Sequence, residues 1–179
     1  GTLFPYTTLF RSCRLCLVEI KGREKPVTAC TTRVAEGLEV FTDTDTVREL
    51  QRMALKLLLS VHDVDCGNCA ANRQCELQDL SKFLKVKLKP KDIPVLKPSY
   101  EIDTTHPLID YNPNRCVLCG RCIYTCQTKS RRSFLSFGNR GFKTVISLLG
   151  TAGQDPADCQ SCLDCVASCP TGALTEKAG

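Results

Sequence analysis

The chain has 179 residues, 14 of them cysteine, with 24 Lys and Arg against 19 Asp and Glu. That cysteine share would suit a small disulfide scaffold, but most of these cysteines stand in C-x2-C steps, too close for ordinary disulfide geometry. The formal charge of +5 does not argue for nucleic acid, because Trp is absent and aromatics are only 6%, leaving no base-stacking surface. Apolar runs such as Leu57-Leu58-Leu59 are far too short to span a membrane. With no signal-peptide pattern, we expect a soluble α+β chain of a reducing compartment, cytoplasmic and at most peripheral to a membrane complex.

Met53 is the only methionine, and residues 1–12 show no strand or helix pattern and no cysteine. They are expected to be a non-native scar outside the fold. Residues 13–43 open on Cys13-Arg14-Leu15-Cys16-Leu17-Val18-Glu19-Ile20 and continue to Pro26-Val27-Thr28-Ala29-Cys30. Residues 17–20 and 27–29 read as strands around a Lys21–Glu24 turn, and 38–42 alternates as a third. Three cysteines alone suit a zinc site or free thiols as readily as a cluster. On this frame, C-x2-C-x13-C resembles the [2Fe–2S] domain of β-grasp ferredoxins, in the variant found in NADH dehydrogenase and hydrogenase iron–sulfur chains. The resemblance implies Cys13, Cys16 and Cys30 as ligands. Its first ligand would fall within residues 1–12, where no cysteine stands, so the domain is expected to be truncated and its [2Fe–2S] cluster doubtful here, though present in an intact parent.

Residues 44–84 begin with the clearest helix, expected over 46–61. Val47, Leu50, Ala54, Leu57, Leu58 and Val61 share one face, and Thr46-x-x-Glu49 reads as a capping box. Then comes His62, followed by Cys66-Gly67-Asn68-Cys69 and Cys75-Glu76-Leu77-Gln78. Three cysteines with one histidine would also satisfy zinc. H-x3-C-x2-C-x5-C-E-L-Q resembles the small helical domain of the same family, whose [4Fe–4S] cluster takes one histidine and three cysteines. That implies His62, Cys66, Cys69 and Cys75 as ligands. Residues 85–107, rich in Lys and Pro, read as a solvated connector, and His106 receives no role.

Residues 108–175 carry two runs, Cys116-x2-Cys119-x2-Cys122-x3-Cys126 and Cys159-x2-Cys162-x2-Cys165-x3-Cys169-Pro170. Each resembles the bacterial dicluster ferredoxin motif, whose fourth cysteine ligates the other run's cluster. The resemblance implies one [4Fe–4S] cluster on Cys116, Cys119, Cys122 and Cys169, and another on Cys126, Cys159, Cys162 and Cys165. Zinc ribbons use pairs of cysteines rather than such runs. Each cubane with its thiolates carries roughly −2, so clusters would bring the net charge to about zero or below. Gln127 replaces the proline usual after the first run. Residues 134–142 and 144–149 are expected to form strands over the clusters, with Ala173-Leu174 pairing to them.

Across residues 13–175 the order of sites resembles the small diaphorase subunit of NAD-linked [NiFe] hydrogenases. It also resembles the N-terminal part of [FeFe] hydrogenases and of some formate dehydrogenases; the large iron–sulfur subunit of NADH dehydrogenase shares the first two sites. This implies three [4Fe–4S] clusters, single-electron relay and no catalytic residue. The implied partners are a flavin subunit oxidising NADH and a hydrogenase, formate dehydrogenase or quinone-linked partner or domain. No G-x-G-x-x-G fingerprint is present. A zinc-binding structural module is the competing class.

Overall fold

A computed structural model describes residues 13–96, 99–129, 133–148, 159 and 162–177. The expected scar, residues 1–12, lies outside them. The chain divides into two units, Gly1–Val61 with Gln78–Leu96 and His62–Leu77 with Lys97–Gly179. Both units combine helices with short strands.

In the first unit β1 (Leu17–Ile20) lies between β2 (Val27–Thr28) and β3 (Val40–Phe41), antiparallel to both. Val18 and Ile20 are buried and alternate with half-buried neighbours, the period-two pattern of a strand covered on one face. The helix α1 (Asp45–Val61) packs on β1, and Gln51 Nε2 donates to the Leu17 carbonyl at 3.3 Å. The Val47 N–H donates to Thr44 Oγ1 at 3.2 Å, so Thr44 rather than Thr46 caps the helix. The apolar stripe is also rotated from its expected place. Val47, Ala54, Leu55 and Leu59 are buried, whereas Leu50 and Leu57 are exposed. Leu55 and Leu59 extend the ladder from Val47 by i+8 and i+4 steps, and a run of adjacent leucines fits either face equally well.

The helix α2 (Glu76–Leu84) follows. Within the first unit Arg52 Nε donates to the Leu84 carbonyl at 3.1 Å, and the Arg48 guanidinium lies 4.4 Å from the Phe83 ring centroid. The Leu96 N–H donates to the Ser60 carbonyl at 2.8 Å, and Lys56 pairs with Asp92. The first part of the expected connector is thus bonded to α1.

The second unit contains β4 (Ile109–Tyr111), α3 (Arg121–Thr128), β5 (Ser136–Gly138), β6 (Val145–Ser147), α4 (Asp164–Ala167) and β7 (Leu174–Glu176). The strands β5 and β6 pair antiparallel, as do β4 and β7. Leu174 therefore pairs with Tyr111, not with the strands expected over the clusters; β5 and β6 occupy each other's hydrogen-bonding groups and leave those of β4 for β7. Ile109, Tyr111, Ile123, Phe134, Leu135, Ile146, Leu148 and Leu174 form the core together with Cys122, Cys126 and Cys165. The residues expected to form one domain over 44–84 are divided: α1 belongs to the first unit and His62–Leu77 to the second. His106 is buried, and its Nδ1 accepts the Leu108 N–H at 3.2 Å, a turn contact.

Candidate iron–sulfur sites

A turn at Pro113–Arg115 delivers the first run, with Asn112 Oδ1 accepting the Asn114 N–H at 3.0 Å. The chain then curls through Leu118 (φ 53°) and Gly120 (φ 73°), and the Leu118 N–H donates to Cys116 Sγ at 3.4 Å. Left-handed residues inside so short a loop turn amide hydrogens towards the sulfurs. A side chain at Gly120 would also meet the Phe137 ring at 3.2 Å. Leu163 holds the matching position in the second run at φ 41°, a conformation that costs a branched side chain about 1–2 kcal/mol. The helices α3 and α4 start directly after these residues, so Cys122 and Cys165 fall in their first turns and Cys126 one turn further along α3.

Burial, with neighbouring Cys119 and Cys169 adding to it, holds the Cys116 thiol up at about 11 although the Leu118 N–H works the other way. Cys122 lies well above the usual thiol range, through burial and then Cys116, Cys119 and Cys169. Cys165 is pushed up to about 12 by burial, then by Cys159, Cys126 and Cys162. The structure therefore gathers Cys169 with Cys116, Cys119 and Cys122, and Cys126 with Cys159, Cys162 and Cys165. The first four line a single cavity with Tyr111 and Thr171.

His62 and Cys75 are buried, and Cys66 and Cys69 are half-buried, with a tight turn over Cys66–Asn68. This loop is tied to the segment around Cys169. The Glu76 N–H donates to the Pro170 carbonyl at 3.0 Å, and the Asp63 N–H to the Asn114 carbonyl at 2.8 Å. Arg115 Nη2 donates to the Asn68 carbonyl at 3.1 Å, and Cys69 Sγ lies 3.7 Å from the Thr171 carbonyl. Gly172 (φ 64°) permits this approach, since a Cβ there would stand 2.9 Å from Ala71 Cβ and 3.3 Å from Cys69 Sγ. Arg121 grips the Glu76 carboxylate with both terminal nitrogens, and that contact raises its pKa.

In the first unit the Cys16 thiol donates to Cys30 Sγ at 3.3 Å; Cys13 and Cys30 are exposed. Among the described residues no three of His, Cys, Asp and Glu stand together at the spacing of a single metal ion. The donor sets fit iron–sulfur clusters. Buried thiols that resist ionising side by side become stable ligands once cationic iron replaces their protons. Sequence reading passes over Tyr111, Arg121, Thr171 and Gly172. Only Tyr111 carries a local signal, standing two residues from Ile109 on the inward face of β4.

Three family models match in succession. A "2Fe-2S iron-sulfur cluster binding domain" covers residues 5–45, taking in part of the expected scar. An "NADH-ubiquinone oxidoreductase-G iron-sulfur binding region" covers 51–89, and a "4Fe-4S dicluster domain" covers 115–173. The chain is 36% identical over 92% of its length to an NADP-reducing hydrogenase subunit of Solidesulfovibrio fructosivorans, of which it spans 28%. It is 35% identical over 91% of its length to an NADH-quinone oxidoreductase subunit of Rhizobium meliloti, of which it spans 19%. The solved structure of an NAD+-reducing [NiFe]-hydrogenase in the H2-reduced state superposes with a TM-score of 0.79 at 28% identity, covering all of this chain and 75% of that one. The chain thus spans 19% to 28% of the length of these curated relatives. In succession its residues match iron–sulfur cluster-binding domains, and the chain is similar over nearly all its length to the cluster-binding regions of hydrogenase and NADH-quinone oxidoreductase subunits.

Proposed function

We propose that the chain relays single electrons between a flavin subunit oxidising NAD(P)H and a hydrogen-, formate- or quinone-reacting site, in a complex of a reducing, cytoplasmic compartment. The observation that carries this is the gathering of the eight thiols of the two runs into two crossed sets of four. Bound clusters supply reversible one-electron chemistry. Cys116, Cys119, Cys122 and Cys169 hold one [4Fe–4S] cluster; Cys126, Cys159, Cys162 and Cys165 hold a second. His62, Cys66, Cys69 and Cys75 hold a third, with imidazole making the site one charge less negative. Cys13, Cys16 and Cys30 supply three thiolates of a [2Fe–2S] site on a β-grasp-like frame. Ile123, Ile146 and Leu174 exclude water from the dicluster sites, while backbone amides such as that of Leu118 donate to sulfur. The chain contributes spacing and tuning, and no acid–base pair acts.

Anaerobic purification tests this reading. A brown protein whose visible absorption is bleached by dithionite is expected; a colourless protein with stoichiometric zinc would overturn it.

A further inference from the structure

The three residues behind Cys169 carry the loop that holds Cys66, Cys69 and Cys75. The Pro170 carbonyl accepts the Glu76 N–H at 3.0 Å. Thr171 is 2% exposed; its hydroxyl donates to the Arg115 carbonyl at 2.7 Å, and its own carbonyl lies 3.7 Å from Cys69 Sγ. Gly172 (φ 64°) lies against Ala71: a Cβ built there would stand 2.9 Å from Ala71 Cβ, 3.1 Å from Ala71 N and 3.3 Å from Cys69 Sγ. Ala71 Cβ and N are fixed to the backbone and cannot swing aside as the tip of a long side chain would, so the loop itself would have to back away. Gly141 (φ 63°) has the same backbone conformation, with nothing within 4 Å of its Cβ position. The two glycines therefore separate what a left-handed turn requires from what a close approach requires.

We propose that Gly172 is a positioning residue: its missing side chain seats the Cys66–Cys75 loop against the segment behind Cys169 and keeps two cluster sites close enough for direct one-electron exchange. The sites are the one at His62, Cys66, Cys69 and Cys75 and the one at Cys116, Cys119, Cys122 and Cys169, and the proposal rests on those ligand sets. In the exchange one cluster is oxidised by one electron as the other is reduced, and no bond or proton changes place. Cys69 Sγ reaches the Thr171 carbonyl, and Thr171 stands two residues after Cys169. The grip of Arg121 on Glu76 spans the same two sites, but both side chains are 51% exposed, and a surface pair of that kind holds weakly. The close approach at Gly172 is the tighter constraint. A glycine serving the turn alone would leave that approach unaltered when replaced by alanine.

The experiment is electron paramagnetic resonance of the fully reduced chain, reconstituted with iron and sulfide, unaltered and as Gly172→Ala and Gly141→Ala. Paramagnetic clusters that lie close together broaden and split each other's signals. Emptying the histidine site with Cys66→Ala and Cys69→Ala marks the part of that interaction which belongs to this pair. With iron content equal, that part should be lost in Gly172→Ala and kept in Gly141→Ala. Adding Ala71→Gly to Gly172→Ala should bring part of it back. An unchanged interaction in Gly172→Ala, or equal loss in both glycine variants, would overturn the role of Gly172 and leave the ligand sets standing. So would an unaltered chain that holds its clusters without any such interaction. Absence of clusters from the unaltered chain would instead bring down the ligand sets, and this proposal with them. If Gly172→Ala loses iron from the histidine site, the added Ala71→Gly decides: recovered iron supports the close approach, and iron still missing overturns it.

Discussion

In the second unit three cysteines are part of the core: Cys122, Cys126 and Cys165 are buried among Ile123, Phe134 and Leu174. In the first unit Cys13 and Cys30 are exposed, beside strands only two to four residues long. The contrast separates two ways of presenting a ligand. A buried thiol is costly to ionise, but its place is fixed by packing before iron arrives. An exposed thiol is not held in place by packing before iron arrives.

The largest test of this contrast is Cys169→Ser. If the dicluster sites are crossed, the variant should lose about four irons, all from the cluster on Cys116, Cys119 and Cys122. Iron analysis with resonance spectra of the remaining signals checks it; loss of the cluster on Cys159, Cys162 and Cys165 instead would break the crossed assignment. A smaller effect is expected at the exposed end. Reconstitution should yield about 12 irons as three [4Fe–4S] clusters, with the [2Fe–2S] signal weak or absent. A full, stable [2Fe–2S] signal would mean that Cys13, Cys16 and Cys30 recruit a fourth donor after all.

His62 lies between these extremes, buried but an imidazole. His62→Cys should retain a [4Fe–4S] cluster and lower its potential, because a fourth thiolate adds negative charge, whereas His62→Ala should make that cluster labile. Unchanged titrations in both variants would reduce His62 to a helix-end residue. The smallest effect concerns the iron-free protein. Burial raises Cys116, Cys122 and Cys165 above an unfolded thiol value near 9.0. Their contribution to stability is therefore fully present below pH 9 and lost as pH climbs through about 11 and 12. Melting temperatures of the reduced, iron-free chain across that window should fall; a flat profile would argue that these thiols are not buried in solution.

Cysteine spacing made the cluster-binding regions legible, because wrapping a cluster constrains residues only two or three apart. The location of α1 was legible from its periodicity, but its buried face was not. Leu57, Leu58 and Leu59 are equally apolar, and only the sheet beneath decides that Leu59 turns inward and Leu57 outward. Thr44 and Thr46 both precede the helix plausibly, and the hydrogen bond to Val47 selects Thr44. The partner of Leu174 was hidden because strand pairing over 60 residues leaves no local mark. Gly172 was hidden for the same reason: its requirement comes from Ala71, a hundred positions earlier.

The grouping of His62–Leu77 with Lys97–Gly179 has a consequence for anyone transplanting these sites. A cut placed between motifs, say after residue 84, would look natural on paper. It would strip from the grafted cassette the backbone partners of Asn114 and Pro170 supplied by Asp63 and Glu76. The exchangeable part is instead discontinuous, with residues 78–96 as a detour that returns to the first unit. Recombination, natural or engineered, should tolerate insertions in that detour better than a break on either side of Cys66–Cys75.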